Sequence, residues 1–242
     1  MTTFPQNSLR QRLNHEPQAL QFGTSGRRGQ VVHLTQLEVF INAVAELEFL
    51  QSLPKSEGGI VKGDDFFYAR DLRPSSCAYV QEQQGRGELA QTIEQAIRYA
   101  GMQPVNLGQI PTPALTHYAL LQGKGSIMIT GSHIPFDRNG YKTNTSKGEL
   151  LKQHEQPINE KVNQVRQRFY QQAFADSLFD EDGRFKSGSK QLSVEYPEAE
   201  EIYRQRYVNF FGGNALSGMR LLVYQHSAVG RDLVVEILRA LG

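Results

Sequence analysis

The chain has 242 residues, of which 39% are hydrophobic and 21% charged, a size and composition typical of a globular protein that buries a sizeable core. Its 26 Lys and Arg residues against 25 Asp and Glu leave a net charge of +1, which argues against nucleic acid or an anionic membrane as a partner. With Cys77 as the only cysteine no intrachain disulfide can form, and neither a signal peptide nor a membrane-spanning segment is recognisable. We therefore expect a cytoplasmic protein.

Strands that alternate with helices are predicted over the first 150 residues, after a polar and loosely held tail at residues 1–19. The strongest helix signal covers residues 35–52, where apolar residues recur at helical spacing and Thr35 and Glu38 form a capping box. The other elements predicted here are a strand over 65–69, a helix over 87–100 followed by Gly101, a strand near Val105, a helix over 111–121 and a buried strand over 126–130. This order predicts an α/β fold with a mixed, mainly parallel sheet covered by helices.

Beyond residue 151 the pattern becomes more polar. It predicts a helix around 158–169, a loop over 176–193, a helix over 197–211, a strand over 219–224 and a helix over 231–241. The last strand and helix are typical of the opening of a βαβ unit, without its returning strand. We therefore divide the chain into the tail (1–19), an α/β domain (20–150), a helical connector with a loop (151–214) and the incomplete start of a second α/β domain (215–242).

The first candidate site is the glycine-rich segment FGTSGRRG, residues 22–29. Its glycines let the backbone approach a ligand closely, and Thr24, Ser25, Arg27 and Arg28 carry donors of the kind that phosphate oxygens accept. The segment matches neither the P-loop nor the dinucleotide-binding fingerprint. On residue types alone, a glycine turn with solvated arginines is the alternative.

The second candidate site is TGSHIP, residues 130–135, which places Ser132 at the end of a buried strand, where α/β sheets bind ligands. It is not the nucleophile elbow of a hydrolase, because Ile134 and Pro135 follow where the second glycine is needed. In an extended segment Ser132 and His133 point to opposite sides, which argues against a Ser–His catalytic pair. An ordinary turn is the alternative.

Two further polar segments have simpler interpretations. RDLRPSS, residues 70–76, also follows a strand, but Asp, Ser and Pro are common in turns and helix starts. DEDGR, residues 180–184, superficially resembles a calcium-binding loop, yet Arg184 stands where an oxygen ligand is needed and the later bidentate Glu is missing. We interpret this second segment as a loop with solvated charges.

Together these segments resemble the α-D-phosphohexomutases, the family of phosphoglucomutase and phosphomannomutase. FGTSGRRG resembles the family's N-terminal phosphate loop, RDLRPSS its turn after the second strand, and IPTP, residues 110–113, its proline-rich entry to a helix. TGSHIPFDRNGYK, residues 130–142, resembles the phosphoserine loop, usually TASHNP followed by Asn-Gly and a lysine. The match covers residues 22–142, and RLLVYQHSAVGRD, residues 220–232, extends it into the start of the second domain.

The resemblance implies a role for each matching residue. Ser132 would carry the phosphoryl group, and His133 and Lys142 would be candidates for proton transfer. The same phosphoryl group would be bound by Thr24, Ser25 and Arg28, with Arg73 as a further candidate. The implied substrate is a hexose phosphate, the activator a hexose 1,6-bisphosphate, and the metal Mg²⁺, which this chain would contact through the phosphate on Ser132.

The chain departs from the family pattern at three points. Gly131 replaces an alanine, Ile134 replaces the asparagine after Ser-His, and the family's Asp-rich magnesium loop is not in the sequence. We therefore expect a truncated phosphohexomutase that moves a phosphoryl group between the 1- and 6-positions of a hexose, with little turnover by this chain alone. Self-association through the incomplete C-terminal segment is a further expectation.

Two other functions compete with the mutase. A catalytically degenerate module could still bind phosphosugars or partner subunits. A serine hydrolase using Ser132 is disfavoured, because the sequence has neither the elbow nor a candidate Asp and His pair in the required order. Phosphorylation of Ser132 would separate the mutase from both.

Overall fold

The computed structural model describes residues 4–23, 26–84 and 86–242. The strands are β1 (Gln21–Phe22), β2 (Arg27–Gln30), β3 (Asp65–Arg70), β4 (Tyr79–Val80), β5 (Arg86–Gly87), β6 (Gln103–Asn106), β7 (Ser126–Ile129), β8 (Arg138–Thr145) and β9 (Gly148–Glu149). The α-helices are α1 (Leu9–Arg12), α2 (Gln36–Ser52), α3 (Pro74–Cys77), α4 (Leu89–Tyr99), α5 (Thr112–Gln122), α6 (Glu155–Tyr170), α7 (Glu198–Phe211) and α8 (Arg231–Ala240). None of these helices is long and apolar enough to cross a membrane, over the described part of the chain.

Seven of the strands form one mixed sheet in the order β1-β2-β8-β7-β3-β6, with β9 paired to β8. Strand β3 is parallel to both β6 and β7, whereas β8 is antiparallel to β7 and to β2. Strands β4 and β5 form a separate hairpin-like pair. The predicted fold class, an α/β fold with a mixed sheet covered by helices, is confirmed.

Hydrophobic cores lie on both faces of this sheet because successive side chains of β3 point to opposite sides. Phe66 and Tyr68 belong to a core with α2, α4 and α6, and Phe67 and Ala69 belong to a core with α5, α7 and α8. Helix α2 is buried along almost its whole length because α4 and α6 both pack against it. The predicted connector helix α6 therefore contributes directly to the first core.

The start of α2 shows how tertiary contacts change a local signal. Thr35 Oγ1 accepts a hydrogen bond from the amide of Glu38 at 3.1 Å, as the capping box predicts. The Glu38 carboxylate does not complete the box. It accepts hydrogen bonds from Arg166 at 2.8 Å and from the Tyr170 hydroxyl at 2.5 Å, both on α6. This buried carboxylate thus ties two helices together instead of capping one.

Two expectations about the chain's organisation need correction, and one part of the sheet was not predicted. The tail is not loosely held over residues 4–19, because Leu9 is fully buried and its amide donates to the carbonyl of Gln172 at 2.8 Å. Strands β2 and β8 were not predicted. Conversely, residues 219–224 form no strand, and Leu222 and Tyr224 in that segment are 98% and 82% exposed.

Candidate active site

The carboxyl ends of the parallel strands β3 and β7 lie side by side at one edge of the sheet. Arg70 and Ile129 are partners in the register of these strands, and the next amide, that of Asp71, donates to the carbonyl of Ile129 at 2.9 Å. The two loops that follow, residues 71–73 and 130–137, are consequently neighbours. Ligands of α/β proteins bind at such an edge.

Ser132 lies at the tip of the second loop, with its side chain exposed. Its φ of +53° is in the left-handed region, which is uncommon for a residue with a side chain, and the amide of Ile134 closes the turn on the carbonyl of Gly131 at 3.2 Å. Ser132 Oγ is 3.2 Å from His133 Nδ1. The expectation that these two side chains point to opposite sides is wrong, because the segment is a turn and not an extended strand.

Asp71 joins the first loop to the second. Its Oδ1 accepts hydrogen bonds from the amide of Arg73 at 3.0 Å and from Ser76 Oγ at 2.7 Å. Its Oδ2 accepts from Thr130 Oγ1 at 2.9 Å and from the amide of Gly131 at 3.1 Å. All four partners donate to a carboxylate, and such charge-assisted hydrogen bonds are stronger than neutral ones.

Arg73 lies beneath the Ser132 turn. Its guanidinium nitrogens donate to four backbone carbonyls, those of Ser132 (3.2 Å), Ile134 (2.7 Å), Pro135 (3.0 Å) and Arg138 (3.1 Å). Its Nε is 3.4 Å from Asp71 Oδ2. The predicted role of Arg73 in phosphate binding stays a prediction, and the N–H groups of its terminal nitrogens are already engaged within the protein.

Arg27 and Arg28 have different environments although they are neighbours in sequence. Arg27 is 1% exposed and forms an ion pair with Glu46, with 2.6 Å between its Nε and Oε1 of the carboxylate. It also donates to the carbonyl of Leu20 at 2.8 Å and to Asn159 Oδ1 at 3.1 Å. Because side chains alternate along β2, Arg28 projects from the opposite face, where no ion pair to it is found among the described residues.

Glu46 fixes the neighbouring strand as well. The Thr143 hydroxyl donates to its Oε2 at 2.5 Å, and the Tyr141 hydroxyl lies 3.4 Å from its Oε1. Burial, reinforced by the charge of Glu46, holds the pKa of Tyr141 well above its usual value, so its hydroxyl stays protonated and can donate. Since Tyr141 and Thr143 point towards Glu46, Lys142 projects from the other face of β8, the face that Arg28 shares.

Lys142 lies close to the phosphate-loop candidate. Its ammonium group forms an ion pair with Glu149 on β9, and a small cavity beside it is lined by Gly23, Gly26 and His154 among others. Gly26 has a φ of +75°, and a Cβ there would lie 2.3 Å from the carbonyl oxygen of Tyr141, so only glycine allows this close approach. Thr24 and Ser25, the other residues predicted to bind phosphate, lie outside the described residues.

The side chains that the structure describes do not form a set of ligands for magnesium. Among the residues that the structure describes, no group of three or more His, Cys, Asp or Glu side chains could hold a metal ion. Mg²⁺ prefers several oxygen ligands in near-octahedral geometry, usually including carboxylates. Over the described ranges, the metal implied by the resemblance therefore has no set of protein ligands.

Comparisons with known proteins identify the fold and the family. Residues 19–169 match the family model described as phosphoglucomutase/phosphomannomutase, alpha/beta/alpha domain I. The chain belongs to the phosphoglucomutase/phosphomannomutase family. The matched segment includes the strands that contain Arg28 and Lys142 and the loops that contain Arg73 and Ser132.

Individual relatives support the same family. A phosphomannomutase of Sinorhizobium fredii is 37% identical over 221 residues, and one of Salmonella muenchen is 32% identical over 223. These alignments cover 91% and 92% of this chain but 41% and 39% of the relatives, so the chain spans about two fifths of their length. A phosphoglucomutase/phosphomannomutase family protein of Burkholderia thailandensis shares the fold, with a TM-score of 0.60 at 22% identity over 90% of this chain and 41% of that one.

Sequence analysis did not single out two residues that organise this site. Asp71 has four donors across both loops, and Glu46 fixes Arg27, Tyr141 and Thr143. Asp71 lies in RDLRPSS, residues 70–76, whose residue types are also common in ordinary turns and helix starts. A signal for Glu46 was present, because a carboxylate within the apolar helix α2 must find partners if it is buried.

Proposed function

We propose that this chain carries the phosphoryl-accepting serine of a phosphohexomutase, with Ser132 as the carrier between the 1- and 6-positions of a hexose phosphate. One observation carries the proposal: Ser132 presents an exposed hydroxyl on a left-handed turn at the same edge of the sheet as Arg28. The pairing of the strands supports this placement of Arg28 near Ser132. Arg28 pairs with Gly140, whose carbonyl accepts from the amide of Thr130 at 3.0 Å, two residues before Ser132.

The chemistry requires little from the serine itself. In the first step the bond between phosphorus and Ser132 Oγ breaks, a bond forms to a free hydroxyl oxygen of the hexose monophosphate, and the proton of that hydroxyl goes to a base. In the return step the other phosphoryl group of the bisphosphate passes to Ser132 Oγ, and the sugar oxygen that is released takes up the proton. Transfers of this kind depend on positioning and on charge neutralisation more than on a strong base.

Three side chains would supply these functions. The guanidinium of Arg28 and the ammonium of Lys142 share one face of the sheet and would stabilise the equatorial oxygens of the transferring group. His133, 3.2 Å from Ser132 Oγ, would hold or release the proton. For Lys142, phosphate would compete with the half-exposed carboxylate of Glu149, which forms the ion pair at present.

A hydrolase is not supported by the surroundings of His133. A Ser–His–Asp triad needs a carboxylate that orients the imidazole, and none contacts His133 over the residues the structure describes. The relatives of Sinorhizobium fredii and Salmonella muenchen are phosphomannomutases, which favours a sugar phosphate as the ligand. The proposed substrate class is therefore a hexose phosphate.

Covalent phosphorylation tests the proposal. The chain is incubated with a hexose 1,6-bisphosphate and Mg²⁺, its intact mass is measured, and the modified peptide is sequenced. We expect one phosphoryl group per chain, on Ser132, and none in Ser132→Ala. Ser187→Ala, which changes an exposed serine of the 176–193 loop, is the matched control and should be labelled like the parent chain.

Two outcomes would overturn the proposal. Label on another residue, retained in Ser132→Ala, would remove Ser132 from the reaction. Binding of the bisphosphate with no covalent label would favour the degenerate phosphosugar-binding module.

A further inference from the structure

Arg73 is placed to determine the conformation of the Ser132 turn. An arginine has five N–H donors in a fixed planar arrangement and no acceptor. In this chain the two terminal nitrogens contact four carbonyls of one loop, and Nε lies near Asp71. Since the four N–H groups of the terminal nitrogens are engaged by these carbonyls, Arg73 has a role within the protein.

Gly131 is the counterpart of Arg73. A Cβ at position 131 would lie 2.3 Å from Nε and 2.5 Å from Cζ of Arg73, distances that real Cβ atoms essentially never show. The guanidinium therefore packs directly against the Gly131 backbone. Because its terminal nitrogens donate to four carbonyls of the loop, a shift of the guanidinium would disturb those hydrogen bonds. An alanine at position 131 would therefore have to displace the guanidinium from its contacts with the loop.

The departure at Ile134 costs this arrangement nothing. The contact that Arg73 makes there is to the backbone carbonyl, at 2.7 Å, the shortest of the four. A carbonyl is present whatever the side chain. Ile134 can thus replace another residue type without loss of the contact that fixes the turn.

Ser132 is held in its left-handed conformation from both sides. Its amide donates to Thr130 Oγ1 at 2.8 Å, and its carbonyl accepts from Arg73 at 3.2 Å. Thr130 is fixed in turn by its hydrogen bond to Asp71. A left-handed serine costs conformational energy, and such strain persists only where the surroundings impose it. Here Asp71 and Arg73 impose it.

We propose that Arg73, packed on Gly131, is a positioning residue that holds the Ser132 turn in the conformation that presents Oγ for phosphoryl transfer. This inference rests on the proposed function for its kinetic consequence, whereas its structural part concerns the turn alone. The positive charge beneath the turn also favours the roughly −1.5 to −2 charge of a phosphoserine. Arg73 acts through the loop and touches no reacting atom.

The test compares four variants of the full chain. Arg73→Lys keeps the charge but loses the planar set of donors, and Arg73→Ala removes both. Gly131→Ala introduces the clash, and the double variant Arg73→Ala/Gly131→Ala removes its cause. Gly213→Ala is the matched control, because a Cβ there would meet its nearest neighbour at an ordinary 3.7 Å.

We expect Arg73→Lys and Gly131→Ala each to lower the rate of Ser132 phosphorylation at saturating bisphosphate by about tenfold or more, since small misplacements of reacting groups are costly. The half-saturating bisphosphate concentration should change by less than about twofold, because phosphate binding is left to other residues. Gly131→Ala should add almost nothing in the Arg73→Ala background, since coupled positions are not additive. Additive effects, or a Gly131→Ala variant that reacts like the parent, would overturn the proposal.

Amide hydrogen exchange provides a readout that does not depend on phosphorylation. The amide of Ile134 closes the turn, and we expect it to exchange about tenfold or more faster in Arg73→Lys than in the parent chain. If the parent chain accepts no phosphoryl group, the proposed function fails while exchange still decides on Arg73. Equal exchange in the two proteins would overturn the positioning role even where phosphorylation succeeds.

Discussion

The Ser132 turn and the C-terminal segment 219–224 are both irregular and largely exposed, yet they differ in the hydrogen bonds of their backbones. The turn is polar, and Asp71 and Arg73 satisfy its backbone from within the protein. The C-terminal segment is apolar, and within the described chain no backbone hydrogen bond of residues 220–224 is found. The comparison teaches that apolar content alone does not give an irregular segment partners for its backbone, whereas the polar loop residues do.

The largest effect on this contrast is expected from Asp71→Ala. The change leaves four donors without their acceptor, among them the buried hydroxyl of Ser76 and the amide of Gly131, and each unsatisfied buried donor costs about 1–3 kcal/mol. We predict a loss of about 3 kcal/mol in the free energy of unfolding, measured by urea denaturation.

Asp64→Ala is the control for this prediction. Asp64 is 37% exposed and pairs with Lys124 at 2.9 Å, an ion pair of the kind whose removal costs about 0–1 kcal/mol. If Asp71→Ala were as mild as Asp64→Ala, the turn would not depend on internal partners, and the contrast with the C-terminal segment would be lost.

The smallest effect on stability is expected from Leu222→Ser combined with Tyr224→Ser. Both side chains are almost fully solvated, so the free energy of unfolding should change by less than about 0.5 kcal/mol. The same change should lower self-association, measured by sedimentation velocity, because it removes exposed apolar surface. As a matched comparison, Leu233→Ala in the buried face of α8 should cost about 2 kcal/mol or more. If the sedimentation coefficient did not change, residues 219–224 would not be the surface through which the chain self-associates.

Elements that carry their own periodicity could be predicted from sequence. Helices α2 and α4 and strands β3 and β7 follow from apolar spacing, and each lies within a residue or two of its predicted bounds. Strand β8 could not be predicted this way because most of its buried residues are polar. Asn139 donates to Ser75 and Ser76, and Asn144 donates to Ser126. Their burial depends on partners far away in sequence.

The failed strand at 219–224 illustrates the opposite error. An apolar run is typical of a buried strand, but a strand also needs a neighbour for its hydrogen bonds, and none lies beside it within the described residues. In the candidate site, one feature follows from a local sequence pattern and another depends on strand pairing. Ser132 was predicted at a strand end, whereas the separation of Arg27 from Arg28 depends on β2, which pairs with the unpredicted β8.

A crystal structure of the chain phosphorylated on Ser132 would test the central claim most directly. The account predicts phosphate oxygens within hydrogen-bonding distance of Arg28 or Lys142, while Arg73 keeps its contacts to the carbonyls of Ser132 and Ile134. An Arg73 that leaves the loop and binds the phosphate would contradict the positioning role. A phosphate that contacts neither Arg28 nor Lys142 would contradict the proposed site itself.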